Sequence, residues 1–430
     1  MTRQLHINVN ALPAGAHPAA WRAPDGDPHS FYDPHHYAKL AQVAERGLLD
    51  AVFLADNSFF RAGGGPFFSL DPIVVLAAMG MATERIGLIG SVSTTFHHPY
   101  TIARAFASLD HLTGGRTGWN IVTTRDRPAG HNYGYSELPE RTERYARAEE
   151  AAEVVSRLWD SWEPDALVAD PASGVLIDAS RIKPIDFVGE YFSVAGPLQV
   201  PPSPQGRPLV VQAGGSSAGQ SLAAKYADAV FTPQHVLAPA QDFYRGLKAA
   251  VAKAGRRPES LAILPGLNPV VGSTEEEARR RQRELNELIP IEQRVAGFAR
   301  FLGVDPAVLD IDKPFPLELL GKTGTTYGSQ GFDTALHELV KANRDKTVRQ
   351  LADEGNAAHR SLVGTPEQIA NSMQEWFENG AADGFNIQCD VYPGGLELFV
   401  DHVIPELQRR GLFRTEYAGV TLREHYGVTR

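Results

Sequence analysis

Residues 86–124 read IGLIGSVSTTFHHPYTIARAFASLDHLTGGRTGWNIVTT. A β-branched apolar run, a stretch with helical spacing and a second β-branched run follow one another, which is the pattern of a strand-helix-strand unit in a parallel sheet. The same alternation extends in both directions. Towards the N-terminus lie LHINVNAL from residue 5 and DAVFLAD from residue 50. Towards the C-terminus lie PLVVQAG from 208, DAVFTPQ from 228, LAILPGLNPVVG from 261 and GFNIQCDVY from 384. Eight such runs predict a closed (β/α)8 TIM barrel of the α/β class, since an open doubly wound sheet uses about five or six strands. Helix starts agree with this: Asp71-Pro72, Thr365-Pro366-Glu367 and Thr274 each put a capping residue ahead of a helical stretch.

Two connections are too long for turns, so the chain reads as one barrel domain, 1–430, with two insertions. Residues 163–207, after the fourth strand, are rich in Pro and Gly and lack long helices. Residues 290–360, before the eighth, mix weak helical spacing with the Gly-rich GKTGTTYGSQG and make a candidate lid. No self-similar period marks a solenoid or propeller. With 43% hydrophobic residues and a net charge of −10, the chain can build a large core and is not suited to nucleic acid or anionic membranes. The single cysteine, Cys389, excludes a disulfide framework and a multi-thiolate metal site. A soluble, cytoplasmic protein is expected, as no apolar run has signal-peptide or membrane-span length.

In such a barrel the working groups stand at the C-terminal ends of the strands. There the sequence places His17 and Trp21, then Asp56, Asn57 and Arg61, then Thr94, Thr95, His97 and His98. Trp119, Asn120, Thr123 and Thr124 follow, then Gln212, Gly214, Gly215, Ser216 and Ser217, and finally Thr232, Gln234 and His235. Neutral donors dominate and acids do not converge, which disfavours hydrolysis by paired carboxylates. The pairs His35-His36 and His97-His98 are adjacent, so their side chains diverge and no metal site is expected. The Gly-Gly-Ser-Ser turn between strand and helix is a recipe for holding a phosphate, although Ser216 or Ser217 also suits a plain helix cap. Trp119 and Asn120 in a buried strand read as ligand contacts, Asp56 as a cap or a ligand contact, and Tyr145 by default as core. Arg61, Arg125 and Arg127 at the rim suggest an anionic substrate.

These residues carry a resemblance. FLAD at 53–56, STTFHHPYTIARAFASLDHLTGGRTGWNIVTT at 93–124, NYG at 132–134, ERYARAEE at 143–150, GPLQVPPSPQGRPLVVQAGGSSAG at 196–219 and the C-terminal VIPELQRRGLFRTEYAGVTLREHYG resemble the bacterial luciferase-like flavin-dependent monooxygenases. Within them the chain is similar to the nitrilotriacetate monooxygenase component A and dibenzothiophene sulfone monooxygenase group. The resemblance implies a two-component enzyme that takes reduced FMN from a separate NAD(P)H:flavin reductase and reacts it with O2 as a C4a-peroxide. It would oxygenate a small organic substrate, with cleavage at a C–N or C–S bond. Carried over residue by residue, cofactor contacts fall on Asp56, Thr94, Thr95, Arg141, Tyr145, Gly215, Ser216 and Ser217, with Asn120 and Thr124 near the isoalloxazine. His17, His97 and Asn120 are the catalytic candidates. A homodimer or homotetramer is implied, with the C-terminal helix ELFVDHVIPELQRRG as one possible contact. A deazaflavin-dependent oxidoreductase and a flavin-binding protein without turnover are the alternatives.

Overall fold

The computed structural model describes residues 3–60, 70–321, 330–354 and 359–428. Eight parallel strands close a ring: β1 (His6–Asn10), β2 (Ala51–Leu54), β3 (Gly87–Ser93), β4 (Thr117–Val122), β5 (Leu209–Ala213), β6 (Ala229–Thr232), β7 (Ala262–Val271) and β8 (Gly384–Ile387). Each pairs with its neighbours in chain order, and the ring closes where His6 of β1 aligns with Gly384 of β8. All eight runs expected to be strands are barrel strands. A further strand, Arg360–Gly364, pairs with the far half of β7, from Leu267 to Val271. It was not anticipated, because its apolar run is only Leu362-Val363 and carries no period.

Side chains alternate between two environments along every strand. Outward-facing Val52, Leu88, Leu267, Phe385 and Ile387 pack under the helices in one large buried cluster. Inward-facing Ala51, Phe53, Ile89, Leu209, Val211, Phe231 and Leu264 fill the lower barrel. Each such Leu or Phe contributes roughly 1.5–3 kcal/mol of burial free energy. The C-terminal helical stretch also packs on the barrel, burying Phe399, Val403, Ile404 and Leu407 in the large cluster. Its apolar face is therefore used within the chain.

The first insertion contains two small hairpins, Leu167–Asp170 with Val175–Ile177 and Phe187–Val188 with Ser193–Val194. Asp110 anchors its end: one carboxylate oxygen accepts from the Thr117 amide at 2.8 Å, the Thr117 hydroxyl at 2.7 Å and the Gln205 amide at 2.7 Å. The second insertion contains helices Ile291–Leu302, Gln330–Ala342 and Val348–Glu354 around a small core of Val295, Phe298, Leu302, Leu336, Val340 and Leu351. Most of the Gly-rich stretch expected there lies outside the described residues.

At the N-terminal end of the barrel Asp50 is fully buried. It accepts from the Ile7 amide at 2.7 Å, pairs with Arg414 and meets His6 at 3.1 Å. Burial alone would raise its pKa, but Arg414 and His6, with the Ile7 bond, hold it down at about 2. A carboxylate whose folded pKa lies below its unfolded value stabilises the fold above the unfolded pKa. That stability is lost as pH falls through the folded value. Asp50→Asn should therefore cost about 2 kcal/mol near neutrality and flatten the acid limb of a urea-denaturation series between about pH 4 and pH 2.

Candidate active site

At the C-terminal mouth the inward-facing positions change from apolar to polar. Asn120 of β4 donates to the Ser91 hydroxyl on β3 at 2.8 Å, and its own Oδ1 is buried without a partner. Trp119, one residue earlier, must face the opposite side. Its indole donates to the Val92 carbonyl at 3.2 Å and packs on Phe106 and Trp159 in the helix layer. The pairing of Trp119 with Asn120 as ligand contacts is thus corrected for the Trp, because strand alternation puts only one of two neighbours inside.

Higher on the wall the Thr124 hydroxyl donates to Ser93 at 2.7 Å, and the Thr95 amide to the same oxygen at 3.3 Å. Thr95 Oγ1 is buried and unpartnered. The Thr94 hydroxyl donates to the Val122 carbonyl, while its own carbonyl accepts from Arg147 at 3.2 Å. His97 places Nδ1 3.1 Å from the Ser93 carbonyl. His98 diverges from it, capping the next helix through the Tyr100 amide. Asp56 accepts from Ser58 at 2.9 Å; burial pushes its pKa up, opposed by the Ser58 bond and by nearby His97.

Beside this wall, β5 runs through Gly214, Gly215 and Ser216 into helix Ser217–Tyr226. Ser216 caps the helix, accepting from the Gly219 amide at 3.2 Å, so the plain cap is real. Tyr145 joins it: its hydroxyl lies 3.4 Å from Ser216 Oγ, although 71 residues separate them in the chain. Arg141, one helical turn before Tyr145, holds its guanidinium 5.8 Å from the Tyr145 ring. Gln212 is buried with Oε1 unpartnered. A helix N-terminus leaves its first N–H groups without intrahelical acceptors and favours negative charge, so this corner could hold an anion. The insertion helix Gln330–Ala342 seats on it: a Cβ added to Gly215 would lie 3.1 Å from Gly331 Cα.

His17 stands apart, on the loop after β1. Its Nε2 meets Asn286 Oδ1 at 3.1 Å and its Nδ1 accepts from the Ala19 amide at 3.1 Å. Asn286 donates to the Asp353 carbonyl, which fixes Oδ1 as the acceptor and His17 Nε2 as the protonated nitrogen. Both ring nitrogens are engaged. Of the rim arginines, Arg127 is paired with Glu137 at 2.9 Å in solvent, and Arg61 lies outside the described residues.

Comparison with known proteins gives the geometry its relatives. The family model for luciferase-like monooxygenases matches residues 16–383. The chain belongs to the luciferase-like monooxygenase family. It is 41% identical to N-acetyl-S-(2-succino)cysteine monooxygenase of Bacillus subtilis, over 100% of this chain and 97% of the relative. It is also 41% identical to nitrilotriacetate monooxygenase component A of Aminobacter aminovorans, over 100% and 97%. Among solved structures, riboflavin lyase with modified FMN and riboflavin superimposes with a TM-score of 0.83 at 31% identity, covering 99% of this chain and 96% of that one.

Within this family member the expected residues Asp56, Thr94, Thr95, His97, Asn120 and Thr124 line one wall, and Arg141, Tyr145, Gly215, Ser216 and Ser217 form the adjoining corner. Arg147, Tyr135, whose hydroxyl donates to the Thr95 carbonyl at 3.1 Å, and Gly331 belong beside them and were missed. Their spacing in the chain gave no signal, since Arg147 lies two residues from Tyr145 on the helix and so on a different face. Burial lowers the His17 pKa, the Asn286 bond opposes this and Arg294 adds to it. In an NMR titration of the imidazole, Arg294→Gln should therefore move the His17 midpoint up and Asn286→Ala should move it down.

Proposed function

We propose that the chain is the oxygenase of a two-component system that uses reduced FMN from a separate NAD(P)H:flavin reductase, together with O2, to oxygenate a small organic substrate. The observation that carries this reading is the corner of Ser216, Tyr145 and the Gly214-Gly215 turn standing beside buried, unpartnered Thr95 Oγ1, Gln212 Oε1 and Asn120 Oδ1. An orphaned buried polar atom costs about 1–3 kcal/mol; a ligand with a phosphate tail and a heteroaromatic head would meet the corner with the one and Thr95 and Asn120 with the other. The residues fit FMN, which when reduced supplies the electrons that activate O2.

Ser216, Tyr145 and the amides at the start of helix Ser217–Tyr226 would hold the phosphate. Arg141, over Tyr145, adds a positive charge nearby. Asn120 and Thr124, fixed by Ser91 and Ser93, would orient the ring system. Thr94 and Thr95 close the wall, with Asp56 behind them. His97, its Nδ1 at the Ser93 carbonyl, would carry a proton through Nε2. The insertion helix seated on Gly215 excludes water from the cup. His17, with both nitrogens engaged, positions the loop after β1.

The compounds named in the two relatives carry a C–S bond and C–N bonds respectively, together with several carboxylates, which favours cleavage at one of those bonds in an anionic substrate. Self-association is part of the proposal. Helix Pro72–Met81 has no polar side chain, and it leaves Val74 68% and Met81 77% exposed. Met81→Lys should lower the mass seen by light scattering.

Anaerobic titration tests the cofactor. Dihydro-FMN should bind at least about 10-fold more tightly than dihydroriboflavin, and the double variant Ser216→Ala, Tyr145→Phe should erase that difference. Equal affinities in the unaltered protein would overturn the reading.

A further inference from the structure

We propose that the mouth contains a second subsite, formed by Asn268, His235 and His359 under Phe332, which binds a carboxylate of the substrate. The inference rests on the monooxygenase reading but concerns strands β6 and β7, next to the Ser216 corner in the strand order.

The subsite begins with β7. Gly266 and Asn268 face the barrel interior, since Ile263, Leu267 and Val271 on the alternate positions lie in the outer apolar clusters. Gly266 has no side chain, and an imidazole takes its space: a Cβ there would lie 2.0 Å from His359 Nδ1. His359 thus lies directly against the strand, at the end of the second insertion. Phe332 meets its ring edge-on at a centroid distance of 5.4 Å. Phe332 also follows Gly331, the residue seated on Gly215. One helix therefore reaches from the phosphate corner to this cluster.

The polar atoms here are left over. Asn268 is 5% exposed, and neither its Oδ1 nor its Nδ2 has a partner. His235 Nε2, on the loop after β6, and His359 Nδ1 are also buried and unpartnered. Four orphaned atoms on three side chains, at about 1–3 kcal/mol each, mark a place completed by something else.

The local charge selects what that is. Burial drives both imidazoles to the neutral form, His235 to about 4 and His359 to about 3. The charged group acting on His235 is Arg360, and the group acting on His359 is His235 itself. Arg360 lies behind the wall on the outer strand, donating to Ser372 Oγ at 2.6 Å and stacked 4.2 Å from the Trp376 ring, with Nε and Nη2 unpartnered. Glu375, on the helix it packs against, offsets part of its charge. On the roofing helix, Asp333 and His337 follow Phe332 and are themselves unpartnered at Oδ1 and Nε2. Among the described residues no carboxylate acts on either imidazole of the subsite, so the field there repels cations and favours an anion accepting from the Asn268 amide and the imidazole N–H groups. Anion binding also raises the proton affinity of both rings.

Calorimetry on the full chain with FMN present tests this, using succinate, tricarballylate and neutral succinamide as probes. At least one of the two acids should bind saturably, and succinamide at least about 10-fold more weakly. Asn268→Asp is nearly isosteric and sets a like charge in the subsite, so it should weaken the acid at least about 10-fold while leaving FMN affinity unchanged. His359→Gln should weaken it as well. The His235 and His359 imidazole titrations should move up when the acid is bound.

The proposal is overturned if neither acid binds, if succinamide binds as tightly as the acid, or if Asn268→Asp binds the acid as well as the original. Loss of FMN and acid together in both variants would mean a merely structural role, and would also overturn it. The two readings fail separately. Acid binding that responds to the variants in a protein that does not prefer FMN removes the cofactor and retains the subsite; FMN binding without acid binding does the reverse.

Discussion

The alternation of side chains along eight closed parallel strands is the constraint on which the rest of the structure depends. Below the midplane the strand faces are mostly apolar, with Asn8 of β1 donating to the Tyr426 hydroxyl among them, so the barrel is a filled core bonded on every edge. Above it the outward positions remain apolar under the helices while the inward ones become Asn10, Ser91, Asn120, Asn268 and Asn386. Those amides and hydroxyls are buried by the barrel wall and only partly satisfied by each other. The unmet hydrogen-bonding capacity is concentrated at the end of the barrel where strand and loop geometry can position a ligand.

Two sides of the mouth differ in chemistry. From β2 to β5, hydroxyls, a helix N-terminus and Tyr145 surround a small polar corner, the proposed place of the phosphate. From β6 to β7, neutral imidazoles and an unpartnered amide face the interior, with Asp333 on the helix above them. The second insertion joins them, with Gly331 on Gly215 and Phe332 on His359. Both contacts are made by neighbouring residues of one helix, so displacement of that helix would open both sides together. Under the proposed reading, water exclusion and access would be tied to this one element.

Much of the fold was legible in the chain itself. Runs such as DAVFLAD and PLVVQAG are β-branched, short and bounded by Asp or Gly, and their number distinguishes a closed barrel from an open sheet. The strand-end positions of Asp56, Thr95, Asn120 and Ser216 followed from the same reading. Arg360–Gly364 escaped it, since a strand added outside the ring needs no periodic apolar face once β7 supplies its partner. The anionic-substrate idea placed on Arg127 also moved: a rim arginine pairs with the nearest solvent-exposed acid, here Glu137.

The sequence by itself determined the (β/α)8 architecture and the residues at strand ends, because strand period and turn chemistry are local properties. Tertiary structure decided that Trp119 faces the helices while Asn120 faces the mouth, and that both ring nitrogens of His17 are occupied. It also decided that Tyr145 reaches Ser216 across 71 residues and that His359 fills the space left by Gly266. Each of these depends on which distant segment occupies a shared volume, and close packing around a closed barrel fixes that only when the whole chain is in place.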